Sequence, residues 1–209
     1  MTGVQTCALP IFPILSQWED HRNKNVAYIG PVFQNSNHSC SKDNPGHIFV
    51  TVGTRSESFA RLLEAVEDLV KREKIKSRVI VQAGHTQYKS DYLEIFDFCT
   101  PDEIDQYIKN AEFVITQESA GIGTKCLKLK TPFLVMPRDY QFRELPAKSD
   151  MKEDLHLKLE EMGYTKVVTN RSELERAIRQ IGDIKTGFMF DNRRAIAALN
   201  RLIGENPKQ

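Results

Sequence analysis

Residues 113–124 of the chain read Phe-Val-Ile-Thr-Gln-Glu-Ser-Ala-Gly-Ile-Gly-Thr, a β-branched run followed by small residues. The run is long enough for one buried strand. Residues 125–129 fit a helix that opens at the glycines. A strand, a glycine turn and a helix N-terminus together make an anion site, because backbone can approach a ligand closely there and the first helical N–H groups are unpaired. The simpler alternative is that Gly121 and Gly123 only permit a tight turn.

Composition describes an ordinary globular chain. Its 209 residues are 40% hydrophobic, enough for one substantial core. The formal net charge of +1 gives no global field that would favour nucleic acid or a membrane surface. No apolar run approaches the roughly 20 residues of a membrane span. The four cysteines are far apart and form no C-x-x-C pair, which predicts a reduced, cytoplasmic setting without a metal site.

The N-terminus does not read as protein. Residues 2–11, Thr-Gly-Val-Gln-Thr-Cys-Ala-Leu-Pro-Ile, resemble the conceptual translation of a common short-read sequencing adapter. A signal peptide is the alternative, but a basic start is missing and Pro10 interrupts a short apolar stretch. We therefore interpret residues 1–11 as a sequencing artefact and expect the natural chain to continue upstream.

One domain boundary is visible in the sequence. Residues 35–46 are polar and rich in turn formers, which is typical of a linker. Residues 12–45 are therefore interpreted as the remnant of an N-terminal domain plus linker. Residues 46–209 are interpreted as a second domain that ends in a helix.

Downstream of the linker, apolar runs alternate with amphipathic segments. Thr54 and Thr100 each begin a capping-box sequence, which predicts a helix N-cap at both positions. Another helix is predicted to begin at residues 150–153 and to bury Leu159 and Met162, and a last one to span residues 192–203. Strands that alternate with helices predict an α/β fold, a Rossmann-like doubly wound parallel sheet. The predicted strands cover residues 47–53, 78–84, 92–98, 113–116, 132–136 and 165–168.

The candidate site follows from this alternation. Ligands bind such sheets outside the carboxyl ends of the strands, at the point where the strand order reverses. Four segments come directly after predicted strands and are therefore expected at one edge: Gly53-Thr54, Gly84-His85, residues 117–124 and Arg138-Asp139. Their convergence predicts a single cleft.

Four stretches of the sequence resemble the C-terminal, donor-binding domain of glycosyltransferase family 28. They are Ile-Phe-Val-Thr-Val-Gly-Thr at residues 48–54, Val-Gln-Ala-Gly at 81–84, residues 111–124, and Pro-Phe-Leu-Val-Met-Pro-Arg at 132–138. The resemblance implies the C-terminal half of a GT-B architecture, two Rossmann-like domains that face a cleft. It also implies a donor that is usually linked to UDP, with its diphosphate on the helix N-terminus and no metal or other cofactor.

The resemblance places substrate-binding residues on this chain, with two departures. The family's histidine at the turn is absent, and Glu118 would repel a diphosphate unless it is paired, for example with Lys125. The family's His-Gln-x-Glu falls on residues 151–154, where Asp154 keeps the acid expected at the ribose and Lys152 offers a charge to the phosphates. The predicted substrate-binding residues are Gly53, Thr54, Gln82, Gly84, Glu118, Ser119, Ala120, Gly121, Ile122, Gly123, Thr124, Arg138, Lys152 and Asp154.

The expected function is that of the donor domain of a hexosyltransferase in polysaccharide biosynthesis. The donor is expected to be UDP-N-acetylglucosamine or a related UDP-hexose, and the acceptor a lipid-linked or polysaccharide one. Its partners would be the missing N-terminal acceptor domain or a membrane-anchored acceptor subunit, without nucleic acid. The chain would then lie in the cytoplasm, or on the inner membrane face through that missing half. No catalytic residue is assigned, since the base of such enzymes normally comes from the N-terminal domain, so this chain is expected to be inactive alone.

Two alternatives stay open. One is an enzyme related to UDP-sugar 2-epimerases, and the other is a non-catalytic donor-binding subunit. A dinucleotide-dependent oxidoreductase is disfavoured because no G-x-G-x-x-G follows Gly53.

Overall fold

The computed structural model describes residues 14–16, 26–28, 46–147, 154–188 and 193–204. Two short 3-10 helices cover Tyr140–Phe142 and Ile181–Asp183. The helices are α1 (Ala60–Lys71), α2 (Pro101–Asn110), α3 (Ala120–Leu129), α4 (Asp154–Glu161), α5 (Arg171–Arg179) and α6 (Arg193–Gly204). The strands are β1 (Ile14–Ser16), β2 (Val26–Tyr28), β3 (His47–Thr51), β4 (Val79–Gln82), β5 (Glu94–Phe96), β6 (Ala111–Thr116), β7 (Phe133–Val135) and β8 (Lys166–Val167).

The chain divides into two compact units. One comprises residues 1–37 and 189–209, and the other residues 38–188. In the first unit, β1 and β2 pair in parallel, with Ile14 opposite Val26. The predicted boundaries at 1–11, 12–45 and 46–209 stay predictions, and residues 1–11 lie outside the described residues. None of the helices in the described ranges has the length and apolar character that crossing a bilayer requires.

The second unit is built on a six-stranded sheet in the order β5-β4-β3-β6-β7-β8. Every neighbouring pair is parallel. The chain runs outward from β3 to β5, returns to place β6 beside β3, and then runs outward again to β8. The strand order therefore reverses between β3 and β6, which is the topological switch point of a doubly wound sheet. The predicted fold class is confirmed.

The strand register aligns the carboxyl ends of the four central strands. Thr51 at the end of β3 lies opposite Gln82 on one side and Thr116 on the other. Thr116 in turn lies opposite Val135. The segments that follow these strands consequently leave the sheet at one level, as the sequence predicted.

The core explains why these strands read as continuous apolar runs. β3 and β4 are buried along their whole length because helices cover both faces of the sheet. α1 packs through a stripe of fully buried side chains at Leu62, Leu63, Val66 and Leu69. Burying each of them contributes about 1.5–3 kcal/mol, which holds the helix on the sheet.

The start of α1 differs from the prediction. The helix begins at Ala60 and not after Thr54, and Thr54 is exposed. The N–H of Phe59, the N-cap residue, donates to Thr86 Oγ1 at 2.9 Å. A threonine from the loop after β4 therefore accepts from one backbone N–H at this helix end, and the local capping-box prediction at Thr54 was wrong.

The helix predicted at residues 150–153 also differs. The described part begins at Asp154, and Leu159 is buried as predicted. Met162 is 49% exposed because it lies beyond the last residue of α4, in the turn that leads to Gly163 with its positive φ. His156 of the same helix is also buried, at 1% exposed.

Candidate functional site

The N-terminus of α3 lies at the switch point, directly after β6. Ser119 is the N-cap, and its Oγ accepts from the N–H of Ile122 at 3.3 Å. The helix thus begins at Ala120. The observed turn between β6 and α3 is therefore shorter than the predicted one, and both glycines lie inside the helix. Neither Gly121 nor Gly123 has a positive φ. The interpretation of these glycines as turn residues was wrong.

The first turn of α3 is open to a ligand. Ala120 and Gly121 are exposed. A Cβ built on Gly121 would meet only the Ser119 Oγ, at 3.9 Å, among described atoms. The first N–H groups of a helix have no intrahelical acceptor and carry a partial positive charge. This end of α3 can therefore bind an anion through its backbone.

Gly123 serves packing and not ligand approach. It is buried, and a Cβ there would lie 3.4 Å from His156 Nε2 and 3.6 Å from the Phe133 ring. Thr124, the next residue, is half-buried in the helix. The glycine at 123 thus allows α3 to approach α4 and β7 closely.

His156 lies beneath the N-terminus of α3. Burial lowers the pKa of its imidazole, and an interaction with the Ser119 backbone partly offsets that effect. The lowered pKa favours a neutral ring beneath the first turn of α3. His156 is therefore a buried packing residue between α4 and the start of α3.

Two glycine turns pack against each other beside this helix. Gly53 and Gly84 follow β3 and β4 with φ of 76° and 56°. A Cβ on Gly84 would fall 2.2 Å from the Gly53 carbonyl oxygen. Only glycine allows both this backbone conformation and this approach. The edge of the sheet at β3 and β4 is therefore closely fixed.

The Gln82 side chain connects the Gly53 turn to the segment that follows β5. Its Nε2 donates to the carbonyl oxygens of Gly53 at 3.2 Å and Asp97 at 2.8 Å, and its Oε1 accepts from Thr51 Oγ1. The side chain is 3% exposed. Its contacts are with the protein's own groups, and its predicted contact with substrate stays a prediction.

Arg138 is buried behind the same edge, 3% exposed. Its Nη2 donates to the Val52 carbonyl at 2.9 Å, and its Nη1 donates to the Glu57 carbonyl at 2.7 Å. Its Nε donates to Gln117 Oε1. Burial lowers the pKa of the guanidinium to about 10, and the nearby Glu144 carboxylate opposes that shift. Arg138 thus joins the loops after β3, β6 and β7.

A second arginine fixes the loop after β7. Arg61 forms a two-pronged contact with the Glu144 carboxylate at 2.9 and 2.8 Å and donates to the Pro137 carbonyl at 2.7 Å. Glu144 also accepts from the N–H of Asp139 at 2.8 Å. A cavity of about 500 Å³ lies beside this contact, between α1, Phe142 and the N-terminus of α5, away from α3.

The remaining predicted site residues lie at different places. Glu118 and Ile122 are half-buried, on either side of the N-cap. Lys125, suggested as a partner of Glu118, forms its ion pair with Asp105 instead. Asp154 begins α4, and Lys152 lies outside the described residues.

Gln117 lies in the predicted edge segment 117–124, but the sequence assigned it no role of its own. It is buried, its backbone N–H donates to the Thr51 carbonyl at 3.3 Å, and its side chain lies against Gly53. A polar residue directly after a buried strand was the available signal. His85 and Phe98 also meet at this edge, with ring centroids 5.0 Å apart, and both are exposed.

Comparisons with known proteins agree with this architecture. A family model, the glycosyltransferase family 28 C-terminal domain, matches residues 47–190. No curated protein matches the chain.

Solved structures with a similar fold have low sequence identity. CalG4, the calicheamicin glycosyltransferase, is 10% identical at a TM-score of 0.56, and the match covers 90% of this chain and 50% of that one. A putative UDP-N-acetylglucosamine 2-epimerase from Listeria monocytogenes is 15% identical at 0.53, with 84% and 50% covered. ALG13 is 18% identical at 0.50, with 78% and 97% covered. The chain spans about half the length of the first glycosyltransferases it matches.

Proposed function

The chain belongs to glycosyltransferase family 28, as its match to the C-terminal domain of that family demonstrates, and we propose that it binds the nucleotide-sugar donor of a glycosyl transfer. The proposed donor is UDP-N-acetylglucosamine or a related UDP-hexose. The proposed acceptor is a lipid-linked or polysaccharide one, held by an N-terminal domain or a membrane-anchored subunit.

The observation that carries the proposal is the exposed N-terminus of α3 at the switch point. Ala120 and Gly121 are exposed there, and the Cβ position of Gly121 has open space around it. A diphosphate carries the charge and the acceptor oxygens that a helix N-terminus binds. The glycine turns at Gly53 and Gly84 lie beside it at the same edge of the sheet, where their N–H groups donate to Thr51 Oγ1 and to the Asp97 carbonyl.

In the proposed chemistry, the N-terminus of α3 first binds the donor diphosphate and then stabilises the charge that develops on it during transfer. In the transfer, the bond between the sugar carbon and the diphosphate oxygen breaks, and a bond from an acceptor hydroxyl oxygen to that carbon forms. The hydroxyl proton passes to a base in the N-terminal half, and the negative charge stays on the departing nucleotide. Fixed N–H groups stabilise the developing charge without reorganisation, so we propose that no metal is needed. We propose no catalytic base in this chain and expect no transfer by it alone.

The first test is calorimetric titration of the full chain with UDP, UDP-N-acetylglucosamine and NAD in the absence of metal. We expect binding of the two uridine ligands only. Gly121→Asp adds a negative charge at the open first turn and should lower UDP affinity at least about tenfold by repulsion of the diphosphate. Gly121→Asn has nearly the same shape without the charge and should keep the affinity. Equal affinity in both variants would exclude a diphosphate at this helix end.

The non-catalytic subunit is a second candidate. The match to ALG13 covers 97% of that chain, so a domain of this fold can make up nearly a whole chain. Donor binding would then persist, while transfer to acceptor would need a second polypeptide. Assay of UDP release with acceptor, with and without an added N-terminal domain, tests this dependence, and transfer by the chain alone would exclude the subunit.

The epimerase alternative has support from the fold alone, through the 2-epimerase of Listeria monocytogenes. It predicts that the protein alone inverts the sugar at carbon 2. Proton NMR of UDP-N-acetylglucosamine incubated with the full chain measures this directly. A new sugar epimer would replace the transferase proposal with this one.

A further inference from the structure

Arg138 is the residue on which the three loops around the proposed donor site converge. Its guanidinium donates to the Val52 carbonyl in the loop after β3 and to Gln117 in the loop after β6. Within its own loop it donates to the Glu144 carbonyl at 3.2 Å. β3, β6 and β7 are adjacent strands, so a single side chain connects the loops that follow the three central strands.

Gln117, which accepts from Arg138, lies between the Gly53 turn and the N-terminus of α3. The Gln117 side chain lies so close to Gly53 that a Cβ there would fall 1.8 Å from its Nε2. Two residues further along the chain, Ser119 caps α3. A shift of Gln117 would therefore move the Gly53 turn and the α3 N-terminus relative to each other.

Arg138 itself faces the interior. It is 3% exposed, and its centre lies 4.8 Å from the centroid of the buried Phe59 ring. Each of its three nitrogens donates to an acceptor of the protein. This geometry suits a planar fork with fixed donor directions, which lysine cannot reproduce.

We propose that Arg138 is a positioning residue for the donor site: it sets the α3 N-terminus against the Gly53 turn through Gln117 and the Val52 carbonyl, without contacting the ligand. The proposal rests on the proposed function of that site. It assigns to Arg138 a role different from the substrate contact that the sequence suggests.

The test compares Arg138→Lys with Arg61→Lys in the full chain. Arg61 is a matched control, since it also forms a fork with carbonyl and carboxylate acceptors near Phe59 but has no bond to Gln117 or Val52. We expect Arg138→Lys to weaken UDP binding about tenfold, the range typical of residues that orient a binding group. We expect Arg61→Lys to lower thermal stability and leave UDP affinity within about twofold.

Amide resonances give a readout that a purely stabilising role would not change. Arg138→Lys should shift the N–H signals of Gly53, Ala120 and Gly121, whereas Arg61→Lys should not. Gln117→Met, which removes the acceptor and keeps Arg138, should shift the same signals and weaken binding similarly. This second variant keeps the test valid if Arg138→Lys fails to fold.

Two results would overturn the proposal. One is wild-type UDP affinity with unmoved Gly53 and Ala120 signals in Arg138→Lys or Gln117→Met. The other is an equal affinity loss in Arg61→Lys. If the wild-type chain binds no uridine ligand, the proposed function fails, and the amide signals alone then decide whether Arg138 positions α3.

Discussion

Glycines of this chain differ in whether their position could accommodate a Cβ atom. Gly84 has a positive φ and no room for a Cβ, because the obstacle is the backbone oxygen of Gly53. Gly182 has neither constraint, and a Cβ there meets no described atom within 4 Å. Two glycines that look alike in the sequence therefore have different structural requirements.

Gly84→Ala should destabilise the protein by at least about 2 kcal/mol, since left-handed backbone and a backbone clash both oppose a Cβ. Gly182→Ala is the control and should change stability by less than about 1 kcal/mol. The free energy of unfolding in urea measures both. Similar values for the two variants would contradict the close contact between the Gly53 and Gly84 turns.

The buried His156 predicts a dependence of stability on pH. Burial lowers the pKa of its imidazole below the ordinary 6.5 in the folded protein. The unfolded chain then binds more protons between the two pKa values, so stability is complete above pH 6.5 and falls as pH drops below it. His47, whose pKa burial also lowers, acts in the same direction.

His156→Gln should reduce this loss, because glutamine does not titrate. Urea unfolding above and below pH 6.5 measures the difference for the wild type and the variant. The change in stability across that pH should be smaller in the variant, with the remainder due to His47. An identical pH dependence would show that the pKa of His156 is the same in the folded and unfolded states, which contradicts the lowered pKa.

At the scale of elements, helix ends were predicted with mixed success. Thr100 and Thr54 begin the same kind of sequence, and Thr100 caps α2 in a reciprocal capping box with Glu103. Thr54 does not cap α1, because the helix begins only at Ala60, where Thr86 accepts from the N–H of Phe59. The same local motif therefore marks a helix start at Thr100 but not at Thr54.

Ser119→Ala is the corresponding test at α3, the helix of the proposed donor site. Loss of the cap should cost about 1 kcal/mol of stability and should also weaken UDP binding, since the α3 N-terminus frays. Asn170→Ala is matched, because Asn170 caps α5 in the same way, through the N–H of Glu173 at 3.0 Å. It should cost similar stability and leave UDP affinity unchanged. Calorimetry measures the UDP affinity and urea unfolding measures the stability of each variant. Equal UDP affinities in Ser119→Ala and Asn170→Ala would place the ligand away from the N-terminus of α3.

At the scale of the whole molecule, the doubly wound order brings four loops to one edge. If that edge binds UDP, the ligand should stabilise the second unit by mass action. At a UDP concentration one hundred times its Kd, the gain is about 2.7 kcal/mol. Uridine lacks the diphosphate and should give much less at the same concentration. Thermal unfolding with EDTA present measures both, and a UDP effect that vanishes with EDTA would contradict metal-independent binding.

The sequence by itself determined the order of strands and helices, the parallel sheet and the family. Local patterns suffice for these, because buried strands read as apolar runs and Thr100 caps its own helix. Only the tertiary structure decided the roles of the polar residues at the edge. Gln82 and Arg138 turn inward there, and Gln117 becomes central, because a buried polar side chain needs partners. Those partners lie on other strands, far along the chain, where no local pattern reveals them.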